Sequence, residues 1–278
     1  MCARRLRRRA PPRLGELTAP QYANHVWNVD HKGWVRLGDG SRVEPLTMTD
    51  GFSRYLISVS ATASTAHDEA RPLFERAFRD HGLPATIRSD NGAPFASTGA
   101  SGLTALSAWW IKLGIRHERI DPGHPQQNGR HERFHLTLRE AMTPPQLNLA
   151  AQQRRFESFA RDYNEERPHQ ALGQRTPASV YEPSARPMPA RIVEPDYPPE
   201  AAARKVRSNG EIRWRGDLIA ISTALVGEAV AVEETEDGQW LVRFYDTPIG
   251  LIDMDKKRLR RLVAPTGGDG EAHHETKP

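Results

Sequence analysis

The stretch SDNGAPF, residues 89–95, follows the short run ATIR (residues 85–88), and together they predict a strand that ends in a turn. Asn91-Gly92 is a strong turn signal. Asp90 stands directly between the strand and the turn. It is either the residue that starts the turn or one member of a metal site at the strand end, and the surrounding sequence bears on that choice.

The segments on either side of this stretch predict a mixed α/β core. Strand-like patterns upstream predict an antiparallel meander of three strands, in HVWNVD (25–30), VEPLTMTD (43–50) and RYLISVSA (54–61). Helical spacing predicts helices over residues 64–82, 103–114, 130–142 and 149–166, with a further strand in IRHERI (115–120). The predicted order is therefore β-β-β-α-β-α-β-α-α.

The C-terminal third of the sequence has a different composition, with a proline-rich segment followed by short strand-like runs. Six prolines between Tyr181 and Glu200 predict an extended linker or strap. Four short strands, in EIRWRGDLIAIS, EAVAVEET, QWLVRFYD and IGLIDM, predict a small all-β barrel. The expected division is a basic arm (1–20), a core (21–182), a proline-rich linker (183–202), the barrel (203–262) and a polar tail (263–278).

Three acidic residues stand out by their context. Asp30 and Asp90 end predicted strands, and Glu132 lies in the first turns of a predicted helix. Singly, each has a structural explanation, as a turn residue or as a charge favoured by the helix dipole. Carboxylates that converge at one sheet edge would raise one another's pKa unless a divalent cation neutralised them. Mg²⁺ suits such a cluster, and two ions can hold both oxygens of a phosphodiester displacement.

The three acids and their neighbours resemble a known family. WNVDHKG, SDNGAPF and HPQQNGRHERFHLTLRE, in this order, resemble the three-acid motif of DDE transposases and retroviral-type integrases. YNEERPHQALGQRTPASVY resembles the segment that closes the core in bacterial insertion-sequence transposases. The resemblance implies a ribonuclease-H-like α/β core, with a mixed five-stranded sheet and helices, followed by an SH3-like barrel.

The resemblance also implies the chemistry and the site. Asp30, Asp90 and Glu132 would be the catalytic residues and the ligands of two Mg²⁺ (or Mn²⁺) ions. Double-stranded DNA, as element ends and as target, would be cut and joined by a homodimer or higher oligomer. Residues expected to contact DNA are Asn91, Gln127, Asn128, His135 and Arg139 in the core, and Arg213 and Arg215 in the barrel.

Two departures from the family pattern affect these expectations. Residues 91–131 form a longer interval between the second and third acids than is usual, and ASTGASGLTALS predicts a surface insertion there. Glu118 and Glu140 are poorer candidates for the third acid, since one lies in a strand-like run and the other two helical turns beyond the loop. Relatives usually carry an N-terminal end-binding domain, whereas this sequence begins almost at the core, which suggests a truncated protein or end recognition from elsewhere.

Composition excludes several other functions. The 278 residues are 37% hydrophobic and 27% charged, and no apolar run is long enough to span a membrane. Cys2 is the only cysteine, which excludes a disulfide framework and fits the bacterial cytosol. The net charge is only +4, although six arginines crowd residues 4–13 in an arm that either grips phosphates or is simply solvated.

Two other functions remain open from the sequence. One is a truncated or domesticated DNA-binding protein that does not transpose. The other is a metal-dependent nuclease on the same core, which would cut DNA without joining it.

Overall fold

The computed structural model describes residues 17–99, 101–120 and 129–262, and for residues 129–132 it describes the backbone alone. Within these residues the core contains seven strands and four α-helices: β1 (Val26–His31), β2 (Val35–Arg36), β3 (Arg42–Val43), β4 (Leu46–Asp50), β5 (Leu56–Ser60), α1 (His67–His81), β6 (Thr86–Ser89), α2 (Ala105–Lys112), β7 (Arg116–Arg119), α3 (Gly129–Ala141) and α4 (Leu149–Arg161). A π-helical turn over Asp162–Glu166 continues α4. The C-terminal part contains seven more strands: β8 (Ala202–Lys205), β9 (Glu211–Trp214), β10 (Asp217–Ala220), β11 (Ala229–Glu234), β12 (Trp240–Phe244), β13 (Thr247–Asp253) and β14 (Arg258–Arg260).

The first sheet is mixed and five-stranded, as the sequence predicts. Its strand order is β5-β4-β1-β6-β7. The pairs β1–β4 and β4–β5 are antiparallel, which confirms the predicted meander, whereas β1–β6 and β6–β7 are parallel. Parallel neighbours end at the same edge of a sheet, so the carboxyl ends of β1 and β6 lie side by side.

The two faces of this sheet are covered by different helices. Trp27 and Ile87 pack with Phe78 of α1 and Trp110 of α2 in one apolar cluster. A second cluster contains Phe134 of α3 together with residues of β5, the β2–β3 hairpin and α4. Since Trp27 and Val29 face α1 and α2, strand alternation turns Asn28 and Asp30 toward the other face.

The β2–β3 hairpin is an element that the sequence does not predict. The glycines at positions 33, 38 and 40 predict turns, so the sequence gives no signal for the two short strands that lie among them. Lys32 N–H donates to the Pro45 carbonyl (2.9 Å), so the hairpin continues the β1–β4 ribbon beyond the sheet. Its tip is fixed, because Gly38 and Asp39 donate their N–H groups to the carbonyls of Gln146 and Leu147 (2.9 and 2.8 Å).

The proline-rich segment runs along the surface of the core. Arg186 donates from its guanidinium to the carbonyls of Pro84, Leu113 and Gly114 at 3.0–3.2 Å. Ser184 Oγ donates to the Leu83 carbonyl (2.7 Å). These bonds satisfy backbone carbonyls at the ends of core elements, so the segment acts as a strap.

The C-terminal part is a single seven-stranded sheet, in the order β8-β11-β12-β13-β14-β10-β9. The prediction of four strands is too low. EIRWRGDLIAIS is a hairpin of β9 and β10, because Arg215 and Gly216 adopt positive φ and reverse the chain. The apolar side chains of this sheet, including Trp214 and Phe244, enclose one core, as expected of a small barrel.

The barrel packs against α2 and the segment that precedes it. Leu103, Ala108 and Ile111 join the apolar cluster of the barrel. Lys112 Nζ pairs with Glu228 at 2.6 Å, and Arg261 donates to the carbonyls of residues 98 and 99 at 3.1 and 3.0 Å. The interval predicted as a surface insertion therefore also serves as a docking site for the barrel.

None of the helices within the described ranges is long and apolar enough to cross a lipid bilayer.

Candidate active site

Asp30 lies near the end of β1, and Asp90 directly follows the end of the neighbouring parallel strand β6. The register pairs Val26 with Thr86 and Asn28 with Arg88, an offset of 60 residues (86 − 26, 88 − 28). Asp30 and Asp90 share that offset. Neighbouring strands lie about 4.8 Å apart, so both carboxylates lie on the same face at the carboxyl edge of the sheet. Both residues remain partly exposed.

The turn after β6 orients the Asp90 carboxylate. Asp90 Oδ1 accepts from the Gly92 N–H at 3.0 Å. A Cβ at position 92 would lie 3.0 Å from Asp90 Oδ2, so a side chain there would crowd the carboxylate. Asn91 is exposed and donates from Nδ2 to the Ile120 carbonyl at 2.7 Å, which ties the turn to the end of β7. Its contact with DNA stays a prediction.

Helix α3, which carries Glu132, is held beside Asp30 by His135. His135 Nδ1 lies 3.9 Å from Asp30 Oδ2, and His135 Nε2 lies 3.1 Å from Thr47 Oγ1. Thr47 in turn donates to the Asp30 carbonyl at 3.0 Å. Residues three apart on a helix are neighbours, so the backbone at Glu132 lies on the same side of α3 as His135. The side chain of Glu132 lies outside the described part of the chain.

His135 is not the DNA-facing residue that the sequence predicts. It is buried between α3, β1 and β4. Burial, with a smaller effect of the Lys32 charge, lowers the pKa of His135 to about 3. The imidazole is therefore neutral at neutral pH, and its contact with Asp30 is polar rather than an ion pair.

The remaining predicted DNA contacts are placed as follows. Arg139 is exposed on α3, and Arg213 is exposed on β9. Arg215 lies in the β9–β10 turn, with its guanidinium 4.3 Å from the centroid of the Trp240 ring. Gln127 and Asn128 lie outside the described residues. All of these contacts stay predictions.

A second pair of charged residues on the same face has a structural explanation. Arg88 Nη2 lies 2.8 Å from Glu118 Oε2, and their side chains are only 9% and 5% exposed. The backbone N–H of Thr18 donates to both Glu118 oxygens at 3.2 Å. Glu118 is thus fully engaged in the fold, which agrees with its rejection as the third acid.

His117 supports the strand end below Asp90. Its Nε2 lies 2.8 Å from Ser89 Oγ, and its ring packs edge-on against Trp110 with centroids 5.1 Å apart. Burial, with a smaller contribution from the charge of Arg119, lowers the pKa of His117 to about 3. The folded protein therefore holds this imidazole in its neutral form.

We expect His117 to make stability depend on pH below neutrality. Because the pKa of His117 is lower in the folded protein than the usual 6.5, the unfolded chain binds the proton first as the pH falls. The contribution of His117 to the free energy of unfolding is therefore fully present above pH 6.5 and decreases as the pH drops toward 3. The loss at pH 5 is on the order of 2 kcal/mol. Urea unfolding at pH 7.5 and pH 5 should show a smaller decrease for His117→Gln than for the wild type, and equal decreases would contradict this assignment.

The described side chains include two of the three proposed metal ligands, Asp30 and Asp90. No group of three His, Cys, Asp or Glu side chains within them could by itself hold a metal ion. Two carboxylates from adjacent strands, joined by a third from α3, would nevertheless provide the oxygen donors that Mg²⁺ and Mn²⁺ prefer. The donor set therefore fits a hard divalent cation rather than a thiolate-bound metal.

Family models match three parts of the chain. Two models described as "Integrase core domain" match residues 20–125 and 113–177. A model described as "IS481 family transposase, C-terminal domain" matches residues 201–260, which include β8 to β14 of the barrel. The junction between the integrase-core models and the C-terminal model falls in the proline-rich strap.

Two curated relatives are proteins of bacterial insertion elements. The chain is 31% identical over 179 residues to an uncharacterized 39.2 kDa protein of insertion element IS476 from Xanthomonas euvesicatoria. The matched residues are 63% of this chain and 50% of that protein. The chain is 29% identical over 165 residues to an uncharacterized 31.7 kDa protein of insertion element IS407 from Burkholderia multivorans, which covers 59% and 57%. The chain thus spans about half the length of these relatives.

A solved structure shares the fold over nearly the whole chain. It is a chain of the simian T-cell lymphotropic virus intasome in complex with PP2A regulatory subunit B56 gamma, with a TM-score of 0.51 and 18% identity. The similarity covers 94% of this chain and 86% of that one. It confirms the predicted fold class, an integrase-type α/β core followed by an SH3-like barrel.

Proposed function

We propose that this chain, which carries an integrase core domain followed by the C-terminal domain of an IS481 family transposase, is a DDE transposase. It would cut DNA strands at the ends of a bacterial insertion element and join them to target DNA. The observation that supports the proposal is the parallel register of β1 and β6, which pairs Asn28 with Arg88, because the same offset separates Asp30 from Asp90. His135 of helix α3 lies beside Asp30.

The proposed ligands come from three elements. Asp30 and Asp90 would hold the metal from the sheet, and Glu132 would complete the site from α3. Bound Mg²⁺ or Mn²⁺, with two ions expected, would activate the attacking oxygen and stabilise charge on the phosphodiester. The Gly92 N–H fixes one Asp90 oxygen, which helps to orient that carboxylate toward the site.

The reaction would consist of two in-line displacements on phosphorus. In the first, water attacks a phosphodiester at the element end, a P–O bond forms, and the bond to the 3′ oxygen breaks to leave a free 3′-hydroxyl. In the second, that 3′-hydroxyl attacks a target phosphodiester and releases a target 3′-hydroxyl. One phosphodiester is exchanged for another in the second step, so no covalent protein intermediate is needed.

The proposed setting follows from this chemistry. Two element ends must be held together during joining, so we expect a homodimer or higher oligomer on DNA. The bacterial relatives and a chromosomal DNA substrate favour the bacterial cytosol as the location. Arg139, Arg213 and Arg215 are exposed and would contact double-stranded DNA.

The proposal is tested by strand transfer on oligonucleotides that bear the terminal repeats flanking the gene, with a supercoiled plasmid as target. A transposase produces Mg²⁺-dependent joined products. Nicked DNA without joined products would identify a nuclease, and binding without either product would identify a DNA-binding protein, and each of these results would refute the proposal.

We further expect Thr47 to support the site through its hydroxyl. Thr47→Val removes the bridge between the Asp30 carbonyl and His135, and groups that position metal ligands typically contribute about 10- to 100-fold to activity. Thr47→Ser keeps the hydroxyl and should retain most of the activity. Strand-transfer rates of the two variants provide the measurement, and a Val variant as active as the Ser variant would contradict this role.

A further inference from the structure

The β2–β3 hairpin carries an exposed aromatic and basic surface close to the proposed active site. Trp34, Arg36 and Arg42 form this hairpin surface. Trp34 is 49% exposed, and Arg36 and Arg42 are exposed as well. Trp34 lies four residues beyond Asp30, and because Gly33 has a positive φ the two Cα atoms are separated by at most about 13 Å, or roughly four base-pair steps of duplex DNA.

The three side chains point to the same side because the hairpin is amphipathic. Arg36 lies directly opposite Arg42 in the ladder, and Val35 lies opposite Val43. Val43 and Leu37 pack in the apolar cluster that includes Phe134 of α3. Strand alternation therefore turns Trp34, Arg36 and Arg42 away from the core.

The charges on this surface are not neutralised by nearby acids. Two like charges directly opposite each other destabilise a ladder. Arg36 donates to the Gly40 carbonyl at 3.2 Å, and the Arg42 guanidinium lies 4.1 Å from the centroid of the Trp34 ring. Within the described residues, no carboxylate lies within 4.0 Å of either guanidinium. An anionic partner would relieve this repulsion.

The surface is also preorganised. The tip of the hairpin is fixed to residues 146 and 147 by two backbone hydrogen bonds, and its inner face is packed against α3. Arg42 stacks on Trp34, an arrangement that leaves part of the ring open to solvent. A rigid surface loses little conformational entropy when a ligand binds to it.

We infer that the hairpin surface binds the DNA strand beside the active site, with phosphates on Arg36 and Arg42 and an unpaired base stacked on Trp34. This inference rests on the proposed function, since it extends the DNA path from the Asp30–Asp90 edge. Aromatic rings next to arginines are the usual means of holding single-stranded nucleotides without reading their sequence. The occupant is therefore DNA with an unpaired end rather than a protein partner.

The test measures DNA affinity in EDTA, where cleavage cannot occur, at several salt concentrations. Two duplexes are compared, one blunt and one with three unpaired nucleotides at the 3′ end. Affinity for DNA falls as the salt concentration rises, and the steepness of this fall is the slope of log affinity against log salt. Arg36→Gln/Arg42→Gln should make this slope less steep by about 1 to 2, since each phosphate contact contributes about 0.9. Trp34→Ala should weaken binding of the unpaired-end duplex about five- to tenfold, with Trp34→Phe close to the wild type.

The matched control is Arg76→Gln/Arg79→Gln, which removes two exposed arginines from α1 on the opposite face of the sheet. It should leave the slope unchanged. A hairpin double variant with the same slope as this control would overturn the inference, as would a Trp34→Ala variant that binds both duplexes as the wild type does. Binding is measured here without catalysis, so this test is independent of the strand-transfer assay. A wild type that binds DNA as expected but forms no joined products in the strand-transfer assay would refute the proposed function and leave the inference about the hairpin surface standing.

Discussion

Asp90→Asn protein is expected to lose strand transfer by at least about 10³-fold while it stays folded and binds DNA. Asparagine keeps the shape of the side chain but removes the charge that would hold a divalent cation, and metal stabilisation of the transition state is worth several kcal/mol. Asp30→Asn and Glu132→Gln should behave in the same way. Quantified joined products in Mg²⁺, for equal amounts of each protein, provide the measurement.

Asp80→Asn is the matched control for these variants. Asp80 lies exposed on α1, on the face of the sheet opposite Asp30 and Asp90, and its carboxylate pairs only loosely with Arg76 at 3.7 Å. This control should retain wild-type activity. An Asp90→Asn variant that keeps more than about a tenth of the wild-type product would remove Asp90 from the catalytic centre.

The second large effect is expected on stability, from Arg88→Met. This substitution leaves the buried Glu118 carboxylate with one cation, the largely exposed Arg116 guanidinium at 3.4 Å. Removing one partner of a buried ion pair typically costs about 3–5 kcal/mol, and we expect the lower end of that range here because Arg116 remains. The Thr18 backbone N–H would still donate to both Glu118 oxygens, but it carries no charge that could neutralise the carboxylate. Urea unfolding at pH 7.5 should show the decrease in the free energy of unfolding.

The double variant Arg88→Met/Glu118→Leu serves as the control. Replacing both members of a buried pair with apolar residues is often close to neutral, so the double variant should recover most of the loss. If Arg88→Met alone unfolds within about 1 kcal/mol of the wild type, the pair contributes less than its burial suggests. If the double variant is as unstable as the single one, packing rather than charge determines the loss.

Much of the core could be predicted from local patterns. The order of strands and helices follows from apolar periodicity and glycine turns, and the five-stranded sheet agrees with it. The β2–β3 hairpin was missed because its strands are two residues each and lie among glycines. Four barrel strands are predicted where the structure has seven, because EIRWRGDLIAIS counts as one strand although Arg215 and Gly216 reverse the chain within it. The short, largely polar strands β8 and β14 give no strand pattern.

The three acids stay a prediction from the sequence, whereas the contacts around them could not be predicted. Asp30, Asp90 and Glu132 stand out because they occur together, with neighbours that resemble a three-acid motif. The burial of His135 depends on Thr47, which is 88 positions away in sequence, and the Arg88–Glu118–Thr18 contacts join three separate segments. Contacts between distant segments leave no periodic signal in the sequence. The helical spacing of His135 with Glu132 and Arg139 therefore predicts a solvent-facing position, although the side chain is buried.

The most direct test of the proposed site is the reversal of strand transfer on a branched DNA that mimics the joined product. Reversal needs no particular target sequence, because the branch itself presents a 3′-hydroxyl beside the phosphodiester to be attacked. With Mg²⁺ or Mn²⁺, the wild type should reseal the target duplex and release the element end, whereas Asp30→Asn, Asp90→Asn and Glu132→Gln should leave the branch intact. A Glu132→Gln variant that resolves the branch at the wild-type rate, or a wild type that fails to resolve it with either metal, would contradict the proposal that these three carboxylates form one metal-dependent site.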